Sequence, residues 1–185
     1  IKDAYEDVMD LRQDWDFLRN DFSLALTTSV QTYAKTTVSN LANWKVDSLR
    51  CYQDAIADER WMVYRPWTEF RDLRLYSTIR TQTGRPQEFT IKPDKSLMVW
   101  PIPDNVGSYT VTGEYYRTAP ELVNDSDTPS FDRFQMVIVW NALMRYAAWV
   151  ESPTTYARAQ KEYNRLIMKL QKDETPEITL GGALA

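Results

Sequence analysis

The chain has 185 residues, 43% of them hydrophobic and 26% charged, which predicts one globular domain with a sizeable core. Its 22 Lys and Arg against 26 Asp and Glu give a net charge of −4, which argues against binding driven by nucleic-acid phosphates. The absence of histidine and the single Cys51 exclude His-dependent catalysis, His-ligated metals and an internal disulfide. No apolar run approaches the ~18 residues that span a bilayer, and the charged opening IKDAYEDVMD predicts no signal peptide.

The first predicted element is an amphipathic helix over residues 3–20. Its apolar residues recur at steps of three and four, and they are Tyr5, Val8, Leu11, Trp15 and Leu18. Acidic residues fill its first turns, which suits the helix dipole.

A β-rich part follows over residues 22–117. Phe22, Leu24 and Leu26 alternate with small or polar residues, the mark of a half-buried strand. Further strands are predicted at 44–53 and 60–67. Between 67 and 76 a short helix is expected, with Thr68 as its N-cap and with Phe70 and Leu73 facing inward.

The strongest β signal lies in EFTI at 88–91, SLMVW at 96–100 and SYTVTGEYY at 108–116. We predict one antiparallel meander from them, with a proline-framed turn from Pro101 to Gly107. The residues expected to share its inner face are Phe89, Ile91, Leu97, Val99, Tyr109 and Val111. The hairpin is rich in aromatic residues, and core packing, a subunit interface and a carbohydrate platform remain three readings of them.

A helical hairpin is predicted over 130–172. Thr128-Pro129 and Ser152-Pro153 each resemble an N-cap followed by proline at the first helical position. The first helix is apolar nearly all round, so it is either the central helix of the fold or faces a neighbouring subunit with its second stripe. One turn apart on this helix, Asn141 and Arg145 suggest a surface gap or a local hydrogen bond.

The elements together predict an α+β fold: an antiparallel β meander or sandwich unit with an N-terminal helix and a C-terminal helical hairpin. We expect one domain over 1–172, followed by a C-terminal arm over 173–185. The arm is either a disordered end or a segment that docks on a partner through Ile178, Leu180 and Leu184.

At this point the sequence resembles a known group. The run from Pro86 to Leu122 (PxxFTIK, LMVWPIPD, YTVTGEYYRTAPEL), the TPSF helix start, the earlier WTEFRDL and the closing PEITLGGALA are similar to tailed-phage head-to-tail connector (adaptor) proteins. These are related in design to tail tubular and head-completion proteins. The resemblance covers nearly the whole chain.

The resemblance implies a structural virion protein, assembled in the host cytoplasm, with no catalysis, metal, cofactor or membrane contact. Such proteins form a ring, commonly twelve-fold, that joins the portal protein to the tail or to a second adaptor, and DNA passes through its channel without specific binding. The subunit interface would then use Met136, Val139, Trp140, Leu143, Tyr146, Trp100 and Tyr116. Portal or tail docking would use Ile178, Leu180, Leu184, Pro101, Pro103 and Asp104.

Two other classes stay open from the residues alone. A carbohydrate-binding β-sandwich would read sugars through Trp61, Trp67, Trp100 or Tyr116. An enzyme such as a glycosidase would need a pair of carboxylates, but the sequence singles out no pair.

Overall fold

A computed structural model describes residues 1–124 and 126–174 of the chain. Its helices are α1 (Lys2–Asp10), α2 (Trp67–Arg74), α3 (Met136–Trp149) and α4 (Pro153–Asp173). Its strands are β1 (Arg19–Ala25), β2 (Thr32–Tyr33), β3 (Leu41–Trp44), β4 (Arg50–Gln53), β5 (Asp58–Trp61), β6 (Val63–Tyr64), β7 (Glu88–Ile91), β8 (Leu97–Trp100) and β9 (Tyr109–Arg117). This combination of helices and mainly antiparallel sheets confirms the α+β class.

The fold comprises two compact units. Unit 1 is built from residues 1–18 and from the described residues after 118, and it holds α1, α3 and α4. Unit 2 is Arg19–Thr118 and holds every strand together with α2. The single domain expected over 1–172 stays a prediction.

The predicted helix 3–20 is wrong in its length, because α1 ends at Asp10. After the helix, the Arg12 guanidinium donates a 2.9 Å hydrogen bond to the Asp14 carboxylate. The Trp15 indole donates a 3.3 Å hydrogen bond to the Met9 carbonyl. Trp15 and Leu18 are still buried in the core of unit 1, but Trp15 lies in an irregular segment and Leu18 in a short 3-10 helix. The apolar spacing therefore identifies Tyr5, Val8, Trp15 and Leu18 correctly as buried, but it is wrong for Leu11, which is 48% exposed, and it does not show where the helix ends.

The hairpin begins later than predicted. Helix α3 starts at Met136 and Thr128-Pro129 does not cap it, because Phe134 adopts a positive φ of 62° that a helix cannot contain. Phe131 is nevertheless buried, from the loop that precedes the helix. The second start signal is confirmed: α4 has Ser152 as its N-cap residue and Pro153 at its first position.

Unit 2 contains two sheets around one core. The first runs β1-β9-β4-β5 with β3 also paired to β9, and the second runs β2-β8-β7-β6. All pairs are antiparallel except β6 with β7. The predicted inward set is confirmed as buried at Phe89, Leu97, Val99, Tyr109 and Val111, with Ile91 packed at the margin of the same core.

The predicted meander is wrong at its last pairing. Strand β8 pairs with β7, whereas β9 lies in the other sheet beside β1 and β4. The segment between them contains Pro101 and Pro103, which have no N–H to extend a ladder, so the chain crosses from one sheet to the other there. The unit is therefore a sandwich whose facing sheets share the alternating apolar residues.

Two smaller predictions also change. The strands expected at 44–53 and 60–67 are each interrupted, giving β3 and β4, then β5 and β6. Helix α2 is preceded by Pro66, so Thr68 lies inside it rather than capping it. Its inner face is Phe70, which is fully buried, while Leu73 is exposed rather than inward.

Candidate assembly interface

Helix α3 has one buried face inside unit 1. Val137, Ile138, Asn141 and Ala147 are buried there, and α3 packs against both α1 and α4. These residues recur at helical spacing, so they define the side that belongs to the core of the unit.

The opposite side of α3 presents the second apolar stripe to the surface. Met136 is 52% exposed, Val139 46% and Tyr146 58%, and Trp149 at the end of the helix reaches 79%. Trp140 and Leu143 lie between the two faces and are half-buried. Five of the residues predicted for a subunit interface therefore lie along one helix, and three of them are largely accessible to a partner.

The stripe continues around the corner between α3 and α4. Tyr146 and Trp149 have ring centroids 6.2 Å apart, which makes an exposed aromatic pair. Beside it lies an open groove of about 370 Å³, lined by Ala147, Ala148, Glu151, Ser152, Pro153 and Tyr156. This surface, from Met136 to the groove, is called the α3 apolar face below.

Asn141 and Arg145 hold α1 against α3, which corrects the expected surface gap or local bond. The Asn141 amide donates to the Ala4 carbonyl at 3.1 Å and to the Asp7 carboxylate at 3.0 Å. The Arg145 guanidinium also binds Asp7, with Nε at 3.1 Å. These bonds span more than 130 residues of sequence, so spacing along one helix could not reveal them.

The two interface candidates in unit 2 lie in different surroundings. The Trp100 ring is half-buried, with the Arg74 guanidinium 4.1 Å from its centroid, and its indole N–H donates to the Ile79 carbonyl at 3.0 Å. Tyr116 is buried, only 9% exposed. Both side chains therefore have packing roles inside unit 2, and their role between subunits stays a prediction.

The base of the Pro101–Gly107 turn is buried and hydrogen-bonded to the rest of unit 2. Pro101 and Pro103 are buried, and the Pro103 carbonyl accepts a 2.9 Å bond from the Ser29 N–H. Asp104 accepts a 2.8 Å bond from the Tyr109 hydroxyl, and burial together with this carboxylate raises the pKa of Tyr109 to about 12.

Exposed apolar surface at this rim comes instead from Val106 and, on the 54–57 connection between β4 and β5, from Ile56. The Asp54 N–H donates to the Ser108 carbonyl at 2.9 Å and joins the two loops. The sequence analysis predicted Pro101 and Pro103 as docking residues of this turn and did not predict Val106 or Ile56. The docking residues Ile178, Leu180 and Leu184 lie outside the described residues.

The tryptophans proposed for sugar stacking already have cations over their rings. The Arg50 guanidinium lies 4.2 Å from the Trp61 centroid, and the Lys92 ammonium lies 6.0 Å from the Trp67 centroid. Trp100 has Arg74 in the same role. A sugar ring would have to displace these cations or use the opposite ring faces.

Two groups with chemical potential lie inside unit 2. Cys51 is fully buried in the core between the sheets, and burial raises the pKa of its thiol, which disfavours the reactive thiolate. Glu88 receives two bonds each from Arg65 and Arg74, at 2.6 to 3.2 Å. Within residues 1–124 and 126–174, no group of three His, Cys, Asp or Glu side chains is placed to hold a metal ion.

The geometry thus defines an α+β subunit whose most distinctive surface is an exposed apolar helix face, the kind of surface that proteins use for assembly. Over residues 1–181 the chain matches the model of the SU10 adaptor protein family, and it belongs to that family. This confirms the resemblance to phage head-to-tail adaptors. A search of curated proteins gave no match.

Family membership carries a coarse functional statement. The chain is a bacteriophage adaptor with a structural role, a virion component that assembles with other head and tail proteins. Among the helices of the described residues, none combines the length and the hydropathy that crossing a membrane requires.

Proposed function

We propose that this adaptor forms a homo-oligomeric ring, twelve-fold as in the proteins it resembles, between the portal protein and the tail or a second adaptor. DNA passes through the central channel without specific binding, and the protein performs no catalysis. The net charge of −4 supports a channel that does not retain phosphate.

The observation that carries the proposal is the α3 apolar face. Met136, Val139 and Tyr146 are about half exposed on the side of α3 away from its own core. An apolar stripe of this kind on a lone subunit would be in contact with water, and a neighbouring copy would cover it.

The test introduces charge into that face. Val139→Glu with Tyr146→Glu is expected to give a folded protein that no longer forms the ring, because a carboxylate cannot be buried unpaired in an apolar contact. Native mass spectrometry would report the copy number, and far-UV circular dichroism would confirm the fold.

The matched control is Val123→Glu, since Val123 is 74% exposed in unit 1 and lies outside α3. It should leave the ring intact. A wild-type chain that stays monomeric with and without portal protein would refute the ring, and a ring that survives the double substitution would place the interface elsewhere.

We also propose that the C-terminal arm contacts the portal. Helix α4 includes Asp173, the first residue of the 173–185 arm, and the later apolar residues Ile178, Leu180 and Leu184 supply the anchors. Ending the chain after Glu174 is expected to leave the fold unchanged and to weaken portal binding at least tenfold, which corresponds to about 1.4 kcal/mol.

A length-preserving variant separates the anchors from the chain itself. Changing Ile178, Leu180 and Leu184 to Ser keeps the arm but removes its apolar area, so it should reproduce the loss measured for the shortened chain in a binding titration. Unchanged portal affinity in both variants would remove the arm from the docking surface.

A further inference from the structure

We propose that neighbouring subunits are held in register by opposite charges, with a basic stripe on α4 of one copy facing an acidic stripe on α1 of the next. The inference rests on the proposed function, since it assumes a ring of identical chains. It adds which charged surfaces meet beside the α3 apolar face.

The α4 basic stripe occupies one side of that helix. Its members follow one another at steps of three and four residues, so they share a face that extends about 21 Å at 1.5 Å per residue. All of them are exposed. They are Arg158, Lys161, Arg165, Lys169 and Lys172.

Few local carboxylates neutralise this stripe. Glu162 pairs with Arg165 of the stripe at 2.8 Å. Asp173 pairs instead with Arg133, in the loop before α3, at 2.9 Å. Lys161 and Lys169 form no ion pair within the described part of the chain. A concentrated positive face is unusual for a chain whose acids outnumber its cations, 26 to 22.

The α1 acidic stripe is its counterpart in the same unit. Helix α1 buries Ala4, Tyr5, Val8 and Met9 on one side, and its acids lie together on the other. The stripe spans about 10 Å. Its members are Asp3, Glu6, Asp7 and Asp10.

Partial compensation leaves this stripe negative. Arg145 binds Asp7 and lies 3.5 Å from Asp3, and Lys2 lies 4.0 Å from Glu6. Asp10 is exposed and has no ion-pair partner among the described residues. Four acids therefore face two cations at this surface, one of which, Lys2, also pairs with Glu121.

A second copy is the partner that accounts for both stripes. A ring contact is heterologous, so each subunit must present two different surfaces that complement each other. Opposite charges on two helices meet that requirement, and they also repel the wrong pairings of acid with acid or base with base. DNA would account for the α4 basic stripe alone and would leave the α1 acidic stripe without a partner.

The experiment is a charge swap in the full chain. Lys161→Glu with Lys169→Glu lowers the net charge of the five cations in the basic stripe from +5 to +1. It should not disturb α4, since each new carboxylate lies three or four residues from a remaining cation. Glu6→Lys with Asp10→Lys brings the net charge of the four acids in the acidic stripe from −4 to 0. We expect each double variant to raise the subunit dissociation constant about tenfold or more in low salt, and much less in high salt.

The decisive sample combines all four substitutions. The new glutamates of one copy and the new lysines of the next attract each other across the contact, so assembly measured by sedimentation velocity should recover above the level of either double variant. Lys35→Glu with Arg80→Glu reverses the same number of exposed cations in unit 2 and should change nothing.

The outcomes separate this inference from the ring itself. If the wild-type chain assembles and the double variants do too, or if the combined variant fails to recover, the charge pairing is overturned while the ring stands. If the basic-stripe variant assembles normally but loses affinity for a short DNA duplex, α4 is a nucleic-acid surface instead. A wild-type chain that never assembles would refute the proposed ring instead.

Discussion

Glu88→Gln is expected to lower the free energy of unfolding by about 3 kcal/mol at neutral pH, at the lower end of the range for breaking a buried ion pair. The Glu88 side chain is only 11% exposed, and its two oxygens accept bonds from Arg65, beside β6, and from Arg74 at the end of α2. A glutamine keeps the shape but leaves the Arg74 guanidinium without its carboxylate and leaves Arg65 with Glu69 as its remaining one.

The same network predicts how stability depends on pH. Hydrogen bonds from Arg74 and then from Arg65 outweigh the effect of burial and lower the pKa of Glu88 from 4.5 to about 2. A lowered folded-state pKa means that the stabilisation is complete above the unfolded pKa and is lost as the pH falls through the folded one. The difference between wild type and Glu88→Gln should therefore be constant above about pH 5 and shrink towards pH 2.

Urea denaturation at a series of pH values measures this difference. Glu69→Gln is the matched control, because Glu69 also bonds Arg65, at 2.6 Å, but is 45% exposed. Glu69→Gln should lower the free energy of unfolding by about 0.5 kcal/mol. If the difference in unfolding free energy between wild type and Glu88→Gln stays the same from pH 7 to pH 2, the carboxylate charge is not its cause.

A local readout is available in Trp100. Glu88 positions Arg74, and the Arg74 guanidinium lies 4.1 Å from the Trp100 centroid. The Glu88→Gln variant should therefore also shift the tryptophan emission of the folded protein, which Glu69→Gln should not do.

The sequence indicated which strand residues point inward better than it indicated which strands pair. Alternation identifies Phe89, Val99 and Val111 as inward because side-chain direction is a local property of an extended backbone. Pairing depends on distant partners: β9 lies against β1, some ninety residues earlier in the chain. No local pattern distinguishes that arrangement from a meander, so two strands that are consecutive in the chain were assigned to one sheet.

The polar connections were missed for a related reason. In the sequence, Glu88 is simply a polar residue at the start of a predicted strand. Its partners Arg65 and Arg74 are 23 and 14 residues away, so no local pattern connects them to it. Likewise, Asn141 and Arg145 donate hydrogen bonds to Asp7, which is more than 130 residues away in the sequence and lies next to them only in the folded chain. The exposed stripe of α3 was predictable because helical periodicity alone defines both of its faces.

Trp15→Ala should be the most destabilising single change in unit 1, at about 4 kcal/mol. Trp15 is fully buried, stacks on Phe17 with centroids 5.5 Å apart, and donates its indole N–H to the Met9 carbonyl. Alanine would leave a cavity among α1, α3 and α4 and would leave that carbonyl without this donor.

The same substitution at Trp149 is the matched control, and it distinguishes a core residue from an interface residue. Trp149 is 79% exposed at the end of α3, so Trp149→Ala should change the free energy of unfolding by less than about 0.5 kcal/mol. It should instead weaken assembly, because large aromatic residues dominate the energetics of protein interfaces. Thermal denaturation of each variant, read beside its sedimentation coefficient, tests both statements. Equal destabilisation by the two substitutions would mean that Trp149 is buried in the folded subunit and that the α3 apolar face is not available to a neighbour.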